Sequence, residues 1–237
     1  MMLKKFSIVL LALLPLFVNA QNETKKIDLT LSLTGNIYQG DLTPSILGST
    51  KDLKPGFSGM LRYHVKDDRV YLRGLLNVAS LKGDDAQFTT PEWSKNRNYS
   101  FTSSLIDVAA MIEYNLNKDD KKFQPFFSFG FGFAKINPIK DASKIDTNYY
   151  APSSPEQLGL IKEKSINQPK VIITIPVSVG FRYKINTNAY LFLEACYRSC
   201  LSDYLDGFSQ SVRSQKFDGY SVYSLGYTFK LKGDSKK

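Results

Sequence analysis

Few side chains in this sequence have the types and spacing that chemistry needs. His64 is the single histidine. A general base must sit within hydrogen-bond reach of the group it serves, and the spacing places no serine or carboxylate beside His64. It therefore reads as a structural histidine facing an interior, which argues against an acid–base hydrolase constellation. Cys196 and Cys200 are the two cysteines. In one extended segment their Cα atoms lie ~13 Å apart, beyond the about 7 Å that a disulfide spans, so they are expected to be unpaired. They are too few, and wrongly accompanied, for a metal site. Asp84 with Asp85, and Asp203 with Asp206, are candidate calcium ligands, but neither pair has the spacing of a complete ligand loop; they read as solvated turn carboxylates. Asn98-Tyr99-Ser100 matches a glycosylation acceptor pattern, to which we assign no role. No catalytic residue, cofactor or metal is expected.

The remaining charges are informative because of where they fall. Asp28, Arg62, Arg73, Asp107, Glu113, Arg182, Lys184, Glu194 and Arg198 lie within segments of alternating polarity, among small residues. The clearest such segment is 171–185. Val171, Ile173, Ile175, Val177, Val179, Phe181, Tyr183 and Ile185 share one face, and Ile172, Thr174, Pro176, Ser178, Gly180, Arg182 and Lys184 share the other. Side chains of a strand alternate with period two. At ~3.3 Å per residue this strand reaches roughly 45 Å, long for a globular sheet. Seven further segments alternate in the same way: 27–38, 56–65, 70–81, 99–116, 123–135, 189–200 and 219–231. Their connections alternate between tight turns and long loops, the latter at 41–54, 82–98, 136–169 and 201–218. Eight strands with this asymmetry predict an all-β fold, an eight-stranded antiparallel up-and-down transmembrane barrel.

An eight-stranded barrel in water would also alternate. Two features favour lipid. The polar face is rich in serine, glycine, alanine and threonine with charges of both signs, which suits a lumen barely wide enough for its own side chains. Aromatic residues gather at the segment ends on the apolar face, with Tyr63, Tyr114, Phe127, Tyr183 and Phe229 towards the turns and Phe57, Phe133, Tyr197 and Tyr223 towards the loops. That pattern fits two interfacial girdles. In so narrow a lumen Asp28, Arg62, Arg73, Asp107, Glu113, Arg182, Glu194 and Arg198 are expected to pair as a structural ion network rather than to line a channel.

Lys4 and Lys5, an apolar run over 6–17 and Val18-Asn19-Ala20 read as a cleaved signal peptide over 1–20, leaving 21–237 as the barrel domain. The formal charge of +9 falls to +7 without Lys4 and Lys5. The basic residues are scattered among carboxylates, which argues against nucleic acid and suits anionic lipid headgroups. Lys66, Arg69, Lys118, Lys121 and Lys122 lie in the short turns and are candidate contacts for a periplasmic partner. An alternative is a small surface barrel for adhesion or defence acting through its long loops.

Several stretches together resemble one known family. They are Gly35-Asn36-Ile37-Tyr38-Gln39-Gly40-Asp41-Leu42; Gly83-Asp84-Asp85 followed by Arg97-Asn98-Tyr99-Ser100-Phe101; and Ser202-Asp203-Tyr204-Leu205-Asp206. In this order they resemble the PorG-like outer-membrane barrels of the type IX secretion system, over about 27–231. The resemblance implies a non-enzymatic outer-membrane component of that apparatus in a Gram-negative bacterium. It implies as partners a periplasmic ring of PorK-like lipoprotein and PorN-like protein, anchored to the outer membrane. It transfers no catalytic residue, and the two cysteines are not part of it.

Overall fold

The computed structural model describes residues 27–43, 48–65, 69–88, 92–118, 121–210 and 218–231. The leader over 1–20 and Lys66 lie outside them. The strands are β1 (Ile27–Gln39), β2 (Lys54–His64), β3 (Val70–Asp84), β4 (Ser100–Asn115), β5 (Phe123–Asp141), β6 (Val171–Lys184), β7 (Ala189–Cys200) and β8 (Gly219–Leu231). Each pairs antiparallel with its sequence neighbour, and β8 closes on β1 through Leu29 opposite Phe229 and Leu33 opposite Leu225. Closure removes the free edges that would otherwise leave backbone groups unpaired in lipid. No helix among the described residues is long and apolar enough to cross a membrane; the strands do so.

Alternation sorts the side chains to two surfaces. Leu31, Phe57, Leu76, Ile112, Phe131, Val177, Val179 and Leu225 point outward and are exposed, Phe57 at 68% and Val179 at 61%. An apolar surface that continues around the whole wall needs a non-aqueous neighbour, so the fold is a transmembrane β-barrel. Tyr114 against Phe127, with ring centroids 5.5 Å apart, and Tyr183 and Phe229 edge this belt at the turn end. Phe57, Phe133, Tyr197 and Tyr223 edge it at the loop end. Inward positions must be small wherever a large neighbour crosses the lumen. A Cβ on Gly180 would stand 2.5 Å from the Phe126 ring and 2.4 Å from the Leu193 carbonyl oxygen.

β7 and β8 have the bounds that the alternation predicts. β3 and β5 run further than predicted, to Asp84 and Asp141. Above the belt their polarity inverts. Inward Leu81, Phe101, Leu105 and Ile136 are buried, while outward Thr102, Ser104, Lys135 and Asn137 are exposed. Water replaces lipid there, so the apolar side chains turn into the barrel. The expected loops 82–98 and 136–169 also carry helices, α1 (Glu92–Arg97) and α2 (Pro155–Glu163). Ser154 caps α2, its hydroxyl accepting from the Gln157 amide at 3.3 Å, and Pro155 opens the first turn. α1 stops at Asn98, whose φ of 51° is a helix-terminating conformation that asparagine tolerates.

Candidate functional site

Two constellations occupy the barrel, one in the lumen and one at its loop end. In the lumen Glu113, on β4, receives three guanidinium groups. Arg182 of β6 donates to both its oxygens at 2.7 Å, Arg62 of β2 donates at 2.9 Å, and Arg73 of β3 stands at 3.1 Å. Arg62 also pairs with Asp28 of β1. Arg73 also donates to Glu194 of β7 at 2.8 Å and to the Ser128 hydroxyl at 2.9 Å. The Ser178 hydroxyl lies 2.6 Å from Glu194 Oε1 and 2.6 Å from the Ser128 hydroxyl. Asp28, Arg62, Arg73, Glu113, Arg182 and Glu194 thus form one neutral network of three cations and three anions. Asp107 and Arg198 form a separate pair nearer the loop end.

All eight of these side chains are buried, and Tyr71, Tyr190 and Phe192 fill the lumen around them. Charges in such a space persist only when paired and hydrogen-bonded. His64 stacks on Tyr71 with centroids 4.6 Å apart, and the Arg62 guanidinium lies 3.9 Å from the same ring centre. Cys196 and Cys200 are free and buried on the inward face of β7. Lys184 closes β6 half-buried at the turn end.

The loop-end constellation brings together chain segments far apart in sequence. The Arg97 guanidinium clamps Asp85, Nε to Oδ2 at 2.6 Å and Nη2 to Oδ1 at 2.8 Å, and also donates to the Asp41 carbonyl at 2.8 Å. The Tyr99 amide donates to Asp85 as well, at 3.1 Å. Tyr38 meets the edge of Phe101 at 4.8 Å, and Tyr99 stacks on Phe208 at 4.7 Å. The Tyr38 hydroxyl lies 2.7 Å from Asp206 Oδ2 and 3.2 Å from Asp218 Oδ1. Leu42, Leu81, Leu205 and Phe208 complete a buried apolar cluster across the mouth.

This corrects the reading of the acidic pairs as solvated turn carboxylates. Asp85 is fully buried and Asp206 is 1% exposed. Only Asp84 and Asp203 keep part of their surface in water. Burial raises the Asp85 carboxyl above the ordinary carboxylate range even against the Arg97 guanidinium, and pushes Asp203 up to about 6. Among the described residues no group of three or more His, Cys, Asp or Glu converges to hold a metal. Asp218 and Phe208 were not legible as cap residues. The one available signal was a carboxylate immediately before the glycine that opens β8.

At the turn end Lys118, Lys121 and Lys122 are exposed. Lys122 reaches over the Tyr183 ring at 5.2 Å. Arg69 is half-buried and donates to the Tyr114 hydroxyl at 3.3 Å, so it is partly engaged within the barrel.

A family model described as a domain of unknown function, DUF6089, matches residues 4–226. The chain belongs to the DUF6089 family. No curated protein matches it. This DUF6089 chain is similar in fold to the outer membrane protein OprG of Pseudomonas aeruginosa, at TM-score 0.51 and 9% identity, over 89% of this chain and 98% of that one. Weaker likenesses are the attachment invasion locus protein Ail of Yersinia pestis, solved in complex with the heparin analogue sucrose octasulfate (TM-score 0.44, 11% identity, 88% and 100% covered), and Neisserial surface protein A (TM-score 0.42, 12% identity, 87% and 97% covered). OprG supports the barrel fold of the DUF6089 chain and nothing about its activity.

Proposed function

We propose that this protein is a non-enzymatic outer-membrane component of a type IX secretion apparatus, and that it holds a periplasmic ring of PorK-like lipoprotein and PorN-like protein against the outer membrane. The observation that carries this reading is the meeting of the three stretches that resemble the PorG-like barrels. Tyr38, Asp41, Asp85, Arg97, Tyr99, Phe101 and Asp206 all come from those stretches, and they interlock in one buried cap. A resemblance spread over separate stretches has more weight when those stretches form one structural unit. The filled lumen supports the same reading from the other side. Its side chains leave no route for a protein substrate, so the barrel offers rigid placement rather than transport. Lys118, Lys121 and Lys122 present positive charge at the turn end, where an acidic face of a ring protein can dock through charge-assisted contacts.

A clean deletion tests this. Export of type IX cargo should stop and the ring should be lost from outer-membrane fractions. Charge reversal of Lys118, Lys121 and Lys122 together should weaken recovery of ring proteins on the tagged barrel, most strongly at low salt, where exposed charges are least screened. Normal cargo export in the deletion strain contradicts the reading.

A second reading, a surface barrel acting through its loops, is favoured by one observation. Trp93, Tyr149, Leu158 and Ile161 are exposed at the loop end, Ile161 at 63%, and tryptophan and tyrosine in particular anchor protein contacts. Replacing these four by serine should then abolish surface binding and leave cargo export intact.

A further inference from the structure

Residues 201–210 cross the mouth of the barrel and are tied down at several points. The Leu205 amide donates to Asp218 Oδ2 at 3.1 Å and the Phe208 amide to Asp206 Oδ1 at 2.8 Å. Lys140 Nζ and Gln168 Nε2 each donate to the Gly207 carbonyl at 2.9 Å, and the Gln210 amide donates to Glu163 at 2.8 Å. Gly207 bends the segment with a φ of 85°. Leu205 and Phe208 bury themselves over Tyr99 and Cys200.

At the centre of these ties lies an unusual pair. Asp206 and Asp218 are each 1% exposed, and an oxygen of each lies within 3.2 Å of the one Tyr38 hydroxyl. That hydroxyl has a single hydrogen to donate. Among the described residues no lysine, arginine or histidine forms an ion pair with either carboxyl. The surrounding groups add negative charge. Asp41 faces the pair from the β1–β2 connection and Asp203 from the segment itself, while Glu163 of α2 acts on Asp203. Tyr38, Cys200 and Tyr197 are the neutral titratable neighbours. Among the described residues Lys140 is engaged with Glu163 and the Gly207 carbonyl, and Arg97 with Asp85 and the Asp41 carbonyl.

We propose that residues 201–210 are a proton-latched lid on the barrel mouth, closed while the Asp206–Asp218 pair holds a proton and released when both carboxyls ionise. This device is independent of the partner proposed above. Two buried anions without a cation repel each other and lose their hydration, and opening the lid returns both to water. Burial first, and then the neighbouring carboxylates, raise both groups above the ordinary range, Asp206 to about 7 and Asp218 likewise well above its usual value. The sign follows. A carboxyl whose closed-state pKa is raised binds more protons closed than open, so closure is strongest at low pH. It weakens as pH rises from about 4, the ordinary carboxylate value, through about 7.

Cys200 lies beneath the lid and reports its opening. The full-length Cys196→Ala protein, refolded in lipid vesicles, is labelled with a methanethiosulfonate between pH 5 and pH 8, and the modified peptide is counted by mass spectrometry. Each rate is divided by that of the urea-unfolded chain at the same pH, which cancels the ionisation of the thiol. The ratio should rise by at least tenfold per pH unit over at least one unit, the slope for one proton released on opening, and more steeply where both carboxyls are protonated in the closed state. It should be flat in Asp206→Asn/Asp218→Asn. Tyr38→Phe removes a hydrogen bond that favours the ionised form of Asp206 and should move the rise to higher pH. A flat ratio in the parent protein overturns the proposal. So does an unchanged slope in the double variant, or, if that variant fails to fold, an unmoved rise in Tyr38→Phe.

Discussion

Glu113 is the residue on which the lumen depends most. It has no exposed surface, and three arginines converge on its two oxygens. A buried pair adds little net stability over a well-packed apolar replacement, but removing one partner leaves uncompensated charge. Glu113→Gln leaves Arg62, Arg73 and Arg182 facing only Asp28 and Glu194. We expect a loss of about 3–5 kcal/mol, measured by urea unfolding in lipid vesicles. The double variant Glu113→Gln/Arg182→Met, which keeps the Arg62–Asp28 and Arg73–Glu194 pairs balanced, should recover part of that loss. The charged residues of this network were legible in the sequence because each interrupts an alternating segment on its polar side. Which partner each takes was not legible, since register across eight strands decides whether Arg73 meets Glu194 or Asp107. The cap was less legible still. Asp85 and Asp206 look like loop carboxylates until Arg97, Tyr38 and Phe208, from distant segments, are folded over them.

The strands carry two codes, and the change between them explains where sequence reading stopped. Within the belt, apolar side chains face out and polar ones face in, as along 171–185. Beyond it β5 continues from Lys135 to Asp141 with Ile136 turned in and Asn137 turned out. A reader following one apolar face ends the strand at Lys135, since the outward lysine breaks that face. The hydrogen-bonded ladder with β4 continues regardless, Ser103 opposite Pro138 and Ser100 opposite Asp141. β7 and β8 lack such an extension, and their ends were legible. Inward glycines give a test at this scale. A Cβ on Gly130 would stand 2.2 Å from the Ala110 carbonyl oxygen and 2.7 Å from Met111 Cα, whereas one on Gly74, facing out, meets nothing within 4 Å. Gly130→Val should cost about 1–3 kcal/mol or prevent insertion altogether. Gly74→Ala should stay within about 0.5 kcal/mol of the parent. Heat-dependent mobility on gels and urea unfolding of the two variants side by side check the contrast.

At the scale of the whole molecule, the eight strands make a wall with lipid outside and packed side chains inside. The lumen is crossed in tiers. Gln124, Tyr190 and Asn115 lie towards the turns, the Glu113 network above them, then Asp107 with Arg198, and finally the apolar cap under residues 201–210. Arg62, Arg73, Arg182 and Arg198 are each no more than 1% exposed, so among the described residues the two charged tiers are shielded from water. A barrel built in this way holds its strand ends on either side of a membrane around a lumen that the described side chains fill. That is the central claim, and reconstitution into planar bilayers tests it most directly. Insertion is first verified by flotation with vesicles and by the compact form on unheated gels. The inserted protein should show no stable conductance above the bare bilayer at neutral pH. A steady, voltage-independent conductance that scales with the number of inserted barrels would contradict the filled lumen, and with it the reading of this protein as a rigid anchor.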